Sequence, residues 1–202
     1  MWNAILTVLL GLQPHQYDAE EPPAERAERM ATIAKAIDYA SSRVTCSGPW
    51  SEVECDRRYP GSQVELASLL LAIGHMESGF AGPIQDGRCR DHECDAYRRS
   101  DGTVAHRARS YWQVHRNSRL EEVWDEMVGI EQWPTNNSAW AAAIVLAGHR
   151  YRCKTVLGAL SGYAGVPSCD WDSAQERATF AKRLAVKLRQ AQRAPAPALA
   201  PL

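Results

Sequence analysis

The sequence predicts a mainly helical (mainly α, α+β) single domain: a bundle around one buried alanine-rich helix, with a small disulfide-tied β-hairpin or loop region. Three observations predict it. Ser-x-x-Glu capping signals stand at Ser62/Glu65, Ser118/Glu121 and Ser173/Glu176, each opening a stretch of helical periodicity. Residues 138–151 (SAWAAAIVLAGHRY) form an almost wholly apolar run, the pattern of a helix buried on all sides. Residues 80–112 carry Gly82, Pro83, Gly87, Gly102 and two cysteines, and Asp101-Gly102 favours a hairpin turn.

Taken in order, residues 1–23 are an apolar segment followed by a linker. Trp2 to Leu12 is too short to span a bilayer. It suits the apolar part of an export signal, but no Lys or Arg precedes it, and the alternative is a short element packed on the domain. Residues 13–24 are polar and proline-bearing. Met30, Ile33, Ala34, Ile37 and Ala40 then recur at helical spacing and predict a helix over 24–43. Residues 45–61 read as a loop. After Ser62, the residues Leu66, Leu69, Leu70, Ile73 and Glu77 fall on one helical face, which Gly79 ends. Leu120, Val123, Trp124 and Met127 follow the second cap. A shorter helix is predicted over 154–161 and a last one from Ser173 to about Arg193. The Ala/Pro-rich tail, 194–202, has nothing to pack with. The folded domain is therefore expected over 24–193.

The chain has 202 residues, enough for one domain with a core. Its formal charge of −1 argues against a nucleic-acid binder, which needs a basic excess. No stable membrane span is expected, and the chain is read as a monomer. The six cysteines fall in three local pairs, Cys46/Cys55, Cys89/Cys94 and Cys153/Cys169. Each pair would close a short loop at the edge of a helix, which suits an oxidising, extracytoplasmic compartment, although connectivity stays open. Cys89, His92 and Cys94 also sit close enough for zinc, but there is no CxxC pair and no second half of a site. Neither a metal nor a cofactor is expected.

Glu77 carries the chemistry. It shares its helical face with four aliphatic residues, so it points inward at the last turn. Partial burial and the negative end of the helix dipole both disfavour its charged form. A carboxyl kept protonated near neutral pH is what a glycosidase needs to protonate a departing glycosidic oxygen. The alternative is a partly buried Glu bonded to a nearby Arg or backbone amide.

Residues 70–80 (LLAIGHMESGF) resemble the helix-ending Glu-Ser segment of the soluble lytic transglycosylases and their goose-type lysozyme relatives. Residues 109–115 (RSYWQVH) look like that superfamily's Gly-Leu-Met-Gln segment, with Gln113 at the Gln. Residues 160–165 (LSGYAG) are similar to its Ala-Tyr-Asn-x-Gly segment, with Tyr163 at the Tyr. Ser110 stands where the family has Gly, Tyr111-Trp112 replace Leu-Met, and the Asn after the Tyr is absent. The resemblance covers about residues 70–165. It implies a lysozyme-like fold, a peptidoglycan substrate and cleavage between N-acetylmuramic acid and N-acetylglucosamine. Glu77 would act as acid and then as base, closing a 1,6-anhydro ring. Tyr163 would orient Glu77 or stabilise charge, Gln113 would hydrogen-bond the sugar, and Ser78 would orient substrate or brace the Glu77 turn.

Trp112 is either a sugar-stacking wall or core packing. A hydrolytic lysozyme needs a second carboxylate to position water, for which Asp86 and Asp101 are the candidates, each also an ordinary turn residue. His75 and His115 flank the site without an assigned role. Residues 86–119 hold eight Arg against five acids, suited to peptidoglycan carboxylates or to a solvated face. Two rivals remain: a non-catalytic wall-glycan-binding or structural module, as in a secretion or virion machine, and a zinc-dependent wall hydrolase.

Overall fold

The computed structural model describes residues 1–13, 21–44, 59–85, 96–98, 100–102, 104–106, 108–115, 135–166, 168–172 and 174–194. Seven helices account for most of them: α1 (Trp2–Leu10), α2 (Pro23–Val44), α3 (Gln63–Ser78), the single turn α4 (Gly82–Gln85), α5 (Thr135–Cys153), α6 (Val156–Tyr163) and α7 (Ala174–Arg193). The strands among the described residues are short. β1 (Ala96–Arg98) pairs antiparallel with β2 (Val104–His106), and β3 (Ala108–Arg109) with β4 (Val114–His115). The chain is thus mainly helical.

Helix α2 starts with a proline, whose missing N–H costs nothing in the first turn. Ser62 caps α3 by accepting a hydrogen bond from Glu65 N at 3.1 Å. Only half of the expected box forms. The Glu65 carboxylate instead accepts the Tyr59 hydroxyl and lies 3.8 Å from Arg150 Nε. Burial pushes the Tyr59 phenol well above its ordinary range, and the Glu65 charge adds to that. Gly79 closes α3 in the left-handed region, φ 57°, its N–H donating to His75 O. The Ser118 and Ser173 caps lie outside the described residues.

The centre of the molecule differs from the expectation of one buried helix. The alanine-rich α5 buries Ala139, Ala141, Ala142, Ala143, Val145, Leu146 and Ala147. Helix α3 is buried at every position from Leu66 to Gly74. Leu66, Leu69, Leu70 and Ile73 are apolar at helical spacing, but Leu71, Ala67 and Ala72 fill the remaining face. α3 packs on α7 and α2, and α5 packs on α2 and α6. Gly74 permits a close fold-back: a Cβ there would sit 2.2 Å from the Phe80 ring.

The apolar N-terminal segment, expected as an export signal or a packed element, is helix α1, lying against α2 and α7. Ala4, Ile5, Val8 and Leu9 belong to the core. The Met1 amino group lies 3.8 Å from Asp38. The folded unit therefore takes in residues N-terminal to 24. No helix among the described residues is long and apolar enough to cross a membrane.

A Cys153–Cys169 disulfide, with Cα atoms 5.4 Å apart, joins the end of α5 to the segment before α7. The chain between the two cysteines contains α6. Cys46, Cys55, Cys89 and Cys94 lie outside the described residues.

Candidate active site

Glu77 lies in the last turn of α3, where the helical spacing predicts it. Its side chain retains 24% of its exposure, neither in bulk solvent nor sealed off. Its chief neighbour is a cation. Arg177, in the first turn of α7, donates from Nη2 to Glu77 Oε1 at 2.6 Å and is itself 21% exposed. A guanidinium at hydrogen-bond distance stabilises the charged form of a carboxylate. It therefore opposes the two effects, burial and the helix end, that the sequence suggests for keeping Glu77 neutral. The arrangement has the geometry of the alternative reading, a Glu bonded to a nearby Arg. Arg177 is one hundred residues from Glu77 and was not among the residues singled out from sequence. No local signal marks one arginine of a helix rich in them.

Tyr163 ends α6 and joins this group. Its phenol is pushed well above its ordinary range, first by burial and then by the negative charge of Glu77, while Arg177 acts in the opposite direction. It stays neutral and donates to the backbone carbonyl of Trp112 at 2.7 Å. That bond ties the end of α6 to the turn Ser110–Gln113, which β3 and β4 close. Glu77, Tyr163 and the Trp112 backbone, three separate segments of the sequence resemblance, are thereby brought into one neighbourhood.

The turn has a demanding backbone. Ser110 and Gln113 take φ of 69° and 48°, in the left-handed region that favours glycine. Gln113 is buried, and both its backbone N and its Nε2 donate to Ser110 O at 3.1 Å. Its side chain closes the turn, so the expected hydrogen bond to a sugar is not prepared in this geometry. Trp112 is fully buried. Its Nε1 donates to Leu70 O at 2.9 Å, and the rings of Phe80 and Tyr111 meet it edge-on at 6.1 and 6.0 Å. The sugar-stacking wall is corrected accordingly: Trp112 is core, because its indole N–H finds its acceptor inside the molecule.

Ser78 is also buried. Its Oγ donates to Gly74 O at 2.9 Å and accepts from Phe80 N at 3.1 Å, bracing the turn after Glu77. Of the two alternatives for Ser78, contact with substrate or support of the turn, the geometry has the second. The turn is braced again from outside, since Arg29 of α2 donates to Phe80 O while Glu21 accepts from Arg29 Nε at 2.8 Å.

Asp101 is exposed in the turn between β1 and β2. Asp86 and the group Cys89, His92 and Cys94 lie outside the described residues, as does the His115 side chain. Among the described residues, no group of three or more His, Cys, Asp or Glu is placed to hold a metal.

An open cleft of about 460 Å³ lies between the end of α3 and the first half of α7. His75 and Met76 line it on one side; Gln175, Glu176, Thr179, Phe180 and Arg183 line it on the other. The His75 and Phe180 rings are 5.4 Å apart. Glu77 and Arg177 are not among its lining residues, although Met76 and Glu176, which precede them in the two helices, are. No protein-family model, curated protein or solved structure matches this chain.

Proposed function

We propose that the protein is a lysozyme-like, peptidoglycan-cleaving enzyme of the lytic transglycosylase kind, working outside the cytoplasm with Glu77 as its single acid–base group. One observation carries the reading: Tyr163 donates to the Trp112 carbonyl and lies within the electrostatic reach of Glu77, so that three segments whose sequences resemble that superfamily share one neighbourhood. Ser110 adds support. Its φ of 69° is one that glycine adopts freely, and glycine is the residue the resemblance places there. The Cys153–Cys169 bridge suits an oxidising compartment.

In the proposed reaction Glu77 Oε protonates the oxygen linking muramic acid to glucosamine. The C1–O bond breaks through an oxocarbenium-like state. The ionised Glu77 then takes the proton of the muramoyl C6 hydroxyl, whose oxygen bonds to C1 and closes the 1,6-anhydro ring. No water is consumed, and intramolecular proximity supplies much of the rate. Tyr163, held by the Trp112 carbonyl, fixes the wall beside Glu77.

The Arg177–Glu77 pair favours a second reading, a glycan-binding or structural module without catalysis, because a carboxylate kept ionised cannot donate a proton. Digestion of purified peptidoglycan by the wild type and by Glu77→Gln, with mass analysis of the fragments, separates the two. The enzyme reading expects anhydro-ended fragments and a loss of about a hundredfold or more in Glu77→Gln, with its circular dichroism unchanged. No fragments from the wild type would leave the binding module, and equal fragment yields from both proteins would mean that Glu77 is not the acid. Reducing ends lost with Glu77→Gln would mean a hydrolase and send the search for a second carboxylate to Asp86 and Asp101.

A further inference from the structure

The cations of this chain are not spread evenly. Between Lys182 and Arg193, α7 carries five of them, Lys182, Arg183, Lys187, Arg189 and Arg193, and no Asp or Glu. The rest of the chain carries 18 Lys and Arg against 24 Asp and Glu. All five side chains are exposed. None of them takes part in an ion pair among the described residues, whereas Arg177, earlier on the same helix, is bonded to Glu77. By helical geometry the five lie within about 100° of Val186 around the axis. Val186 is 50% exposed, in the middle of this stripe. Ala181, Leu184 and Leu188 hold the opposite face of α7 in the core.

Helix stability does not account for the stripe. A cation is favoured at the negative end of a helix only within the last turn, which of the five holds Arg193 alone. Arg183 and Lys187, and again Arg189 and Arg193, are like charges four residues apart, a spacing that works against the helix. A face built for solubility would intersperse both signs. A stripe of one sign with an apolar centre fits a surface of the opposite charge. Towards the N-terminal end of α7 the stripe runs into the open cleft, where Arg183 is joined by Phe180 and by the exposed Met76 of α3.

We propose that this face of α7 docks on an anionic phospholipid bilayer. A cluster of about four to eight Lys and Arg on an amphipathic helix is the pattern that recognises acidic headgroups. The long stems of Lys and Arg splay, so that their charged ends reach the phosphates while Val186 and Met76 meet the boundary of the acyl chains. The contact is peripheral, because the other face of α7 stays in the core and no helix among the described residues is long and apolar enough to cross a membrane. A nucleic acid would also attract the cations, but it offers no apolar layer to Val186. The docking surface is independent of the chemistry at Glu77 and concerns where the molecule sits.

The test is sedimentation of the full chain with vesicles of phosphatidylcholine alone and of phosphatidylcholine mixed with phosphatidylglycerol, at low and at high salt. At low salt the wild type should bind the mixed vesicles at least about tenfold more strongly than the neutral ones. High salt should release it, because exposed charges are then screened. The variant Lys182→Gln/Arg183→Gln/Lys187→Gln should bind about a hundredfold more weakly, about fivefold for each charge removed. Lys35→Gln/Arg43→Gln/Arg152→Gln removes the same charge from exposed sites on α2 and α5 and should bind like the wild type. Equal weakening by the two variants overturns the proposal, since net charge rather than α7 would then be responsible. Binding of the wild type to both kinds of vesicle alike, or to neither, overturns it without any variant, so the test stands even if a substituted chain fails to fold. Duplex DNA bound more tightly than the mixed vesicles at the same salt would assign the stripe to nucleic acid instead. None of these readouts needs cleavage of peptidoglycan, so they decide the docking surface whether or not Glu77 proves to be an acid.

Discussion

Ser110 is the residue whose substitution has the clearest sign. At φ 69° a side chain with a Cβ carries a steric penalty of about 1–2 kcal/mol that glycine lacks. Against this stands one long hydrogen bond, Trp112 N to Ser110 Oγ at 3.4 Å. Ser110→Gly should therefore raise unfolding stability by up to about 1 kcal/mol, read from the denaturant midpoint at constant slope. Tyr163→Phe has the opposite sign. It removes the donor from the Trp112 carbonyl and should cost about 1 kcal/mol in the same measurement. A melting temperature equal to wild type would show that the carbonyl finds another donor. At this scale the sequence is informative about position and silent about partners. The spacing from Leu66 to Glu77 sets the carboxylate on the inner face of α3, because helical geometry is local. Arg177 lies a hundred residues away in another helix, and only the packing of α3 on α7 selects it. The two roles open to Trp112, wall or core, could not be separated by residue type, since both use its apolar area. The Leu70 carbonyl decides between them.

At the scale of elements, α1 is the least expected part. An apolar stretch of this length has the same pattern whether it is a cleaved signal or a short helix against a core, and its flanks do not decide. In the fold Ile5 and Leu9 are fully buried, each worth roughly 1.5–3 kcal/mol of apolar burial. Removal of residues 1–12 should lower stability by several kcal/mol on that basis and uncover apolar surface on α2 and α7. Urea unfolding of the truncated protein, together with its binding of a hydrophobic dye, measures both. Unchanged unfolding would mean that α1 contributes no net packing. Helices α2, α3, α5, α6 and α7 were legible from caps and periodicity. The Glu65 half of the α3 cap was not, because Tyr59 competes for the carboxylate from outside the helix.

At the scale of the whole molecule, two tyrosines among the described residues have their ionisation opposed by burial and by a carboxylate, Tyr59 by Glu65 and Tyr163 by Glu77. In both the folded-state pKa is raised above the unfolded value. Their contribution is therefore fully present below the unfolded tyrosine pKa and is lost as pH rises above it towards the folded value. Stability should be insensitive to these groups near neutrality and fall in alkali above about pH 10. The phenolate absorbance of these two residues should appear only with unfolding, and its gradual appearance before the loss of helical signal would contradict their burial. The arrangement of the helices was the least legible layer. Which helix lies on which is set by contacts between distant segments, and α3 shares the centre with the alanine-rich α5 because its small residues let neighbours approach on every side.

The Cys153–Cys169 bridge encloses α6 and Tyr163 in a covalent ring. Loop closure of this size restricts the unfolded chain by about 3 kcal/mol, so reducing agent should lower the melting temperature. The ring also changes what a protease can release. A single nick inside it frees no fragment: the two new ends stay in one molecule, with the Glu77 segment on one piece and Arg177 on the other. Only a thiol then separates the acid from its counterion.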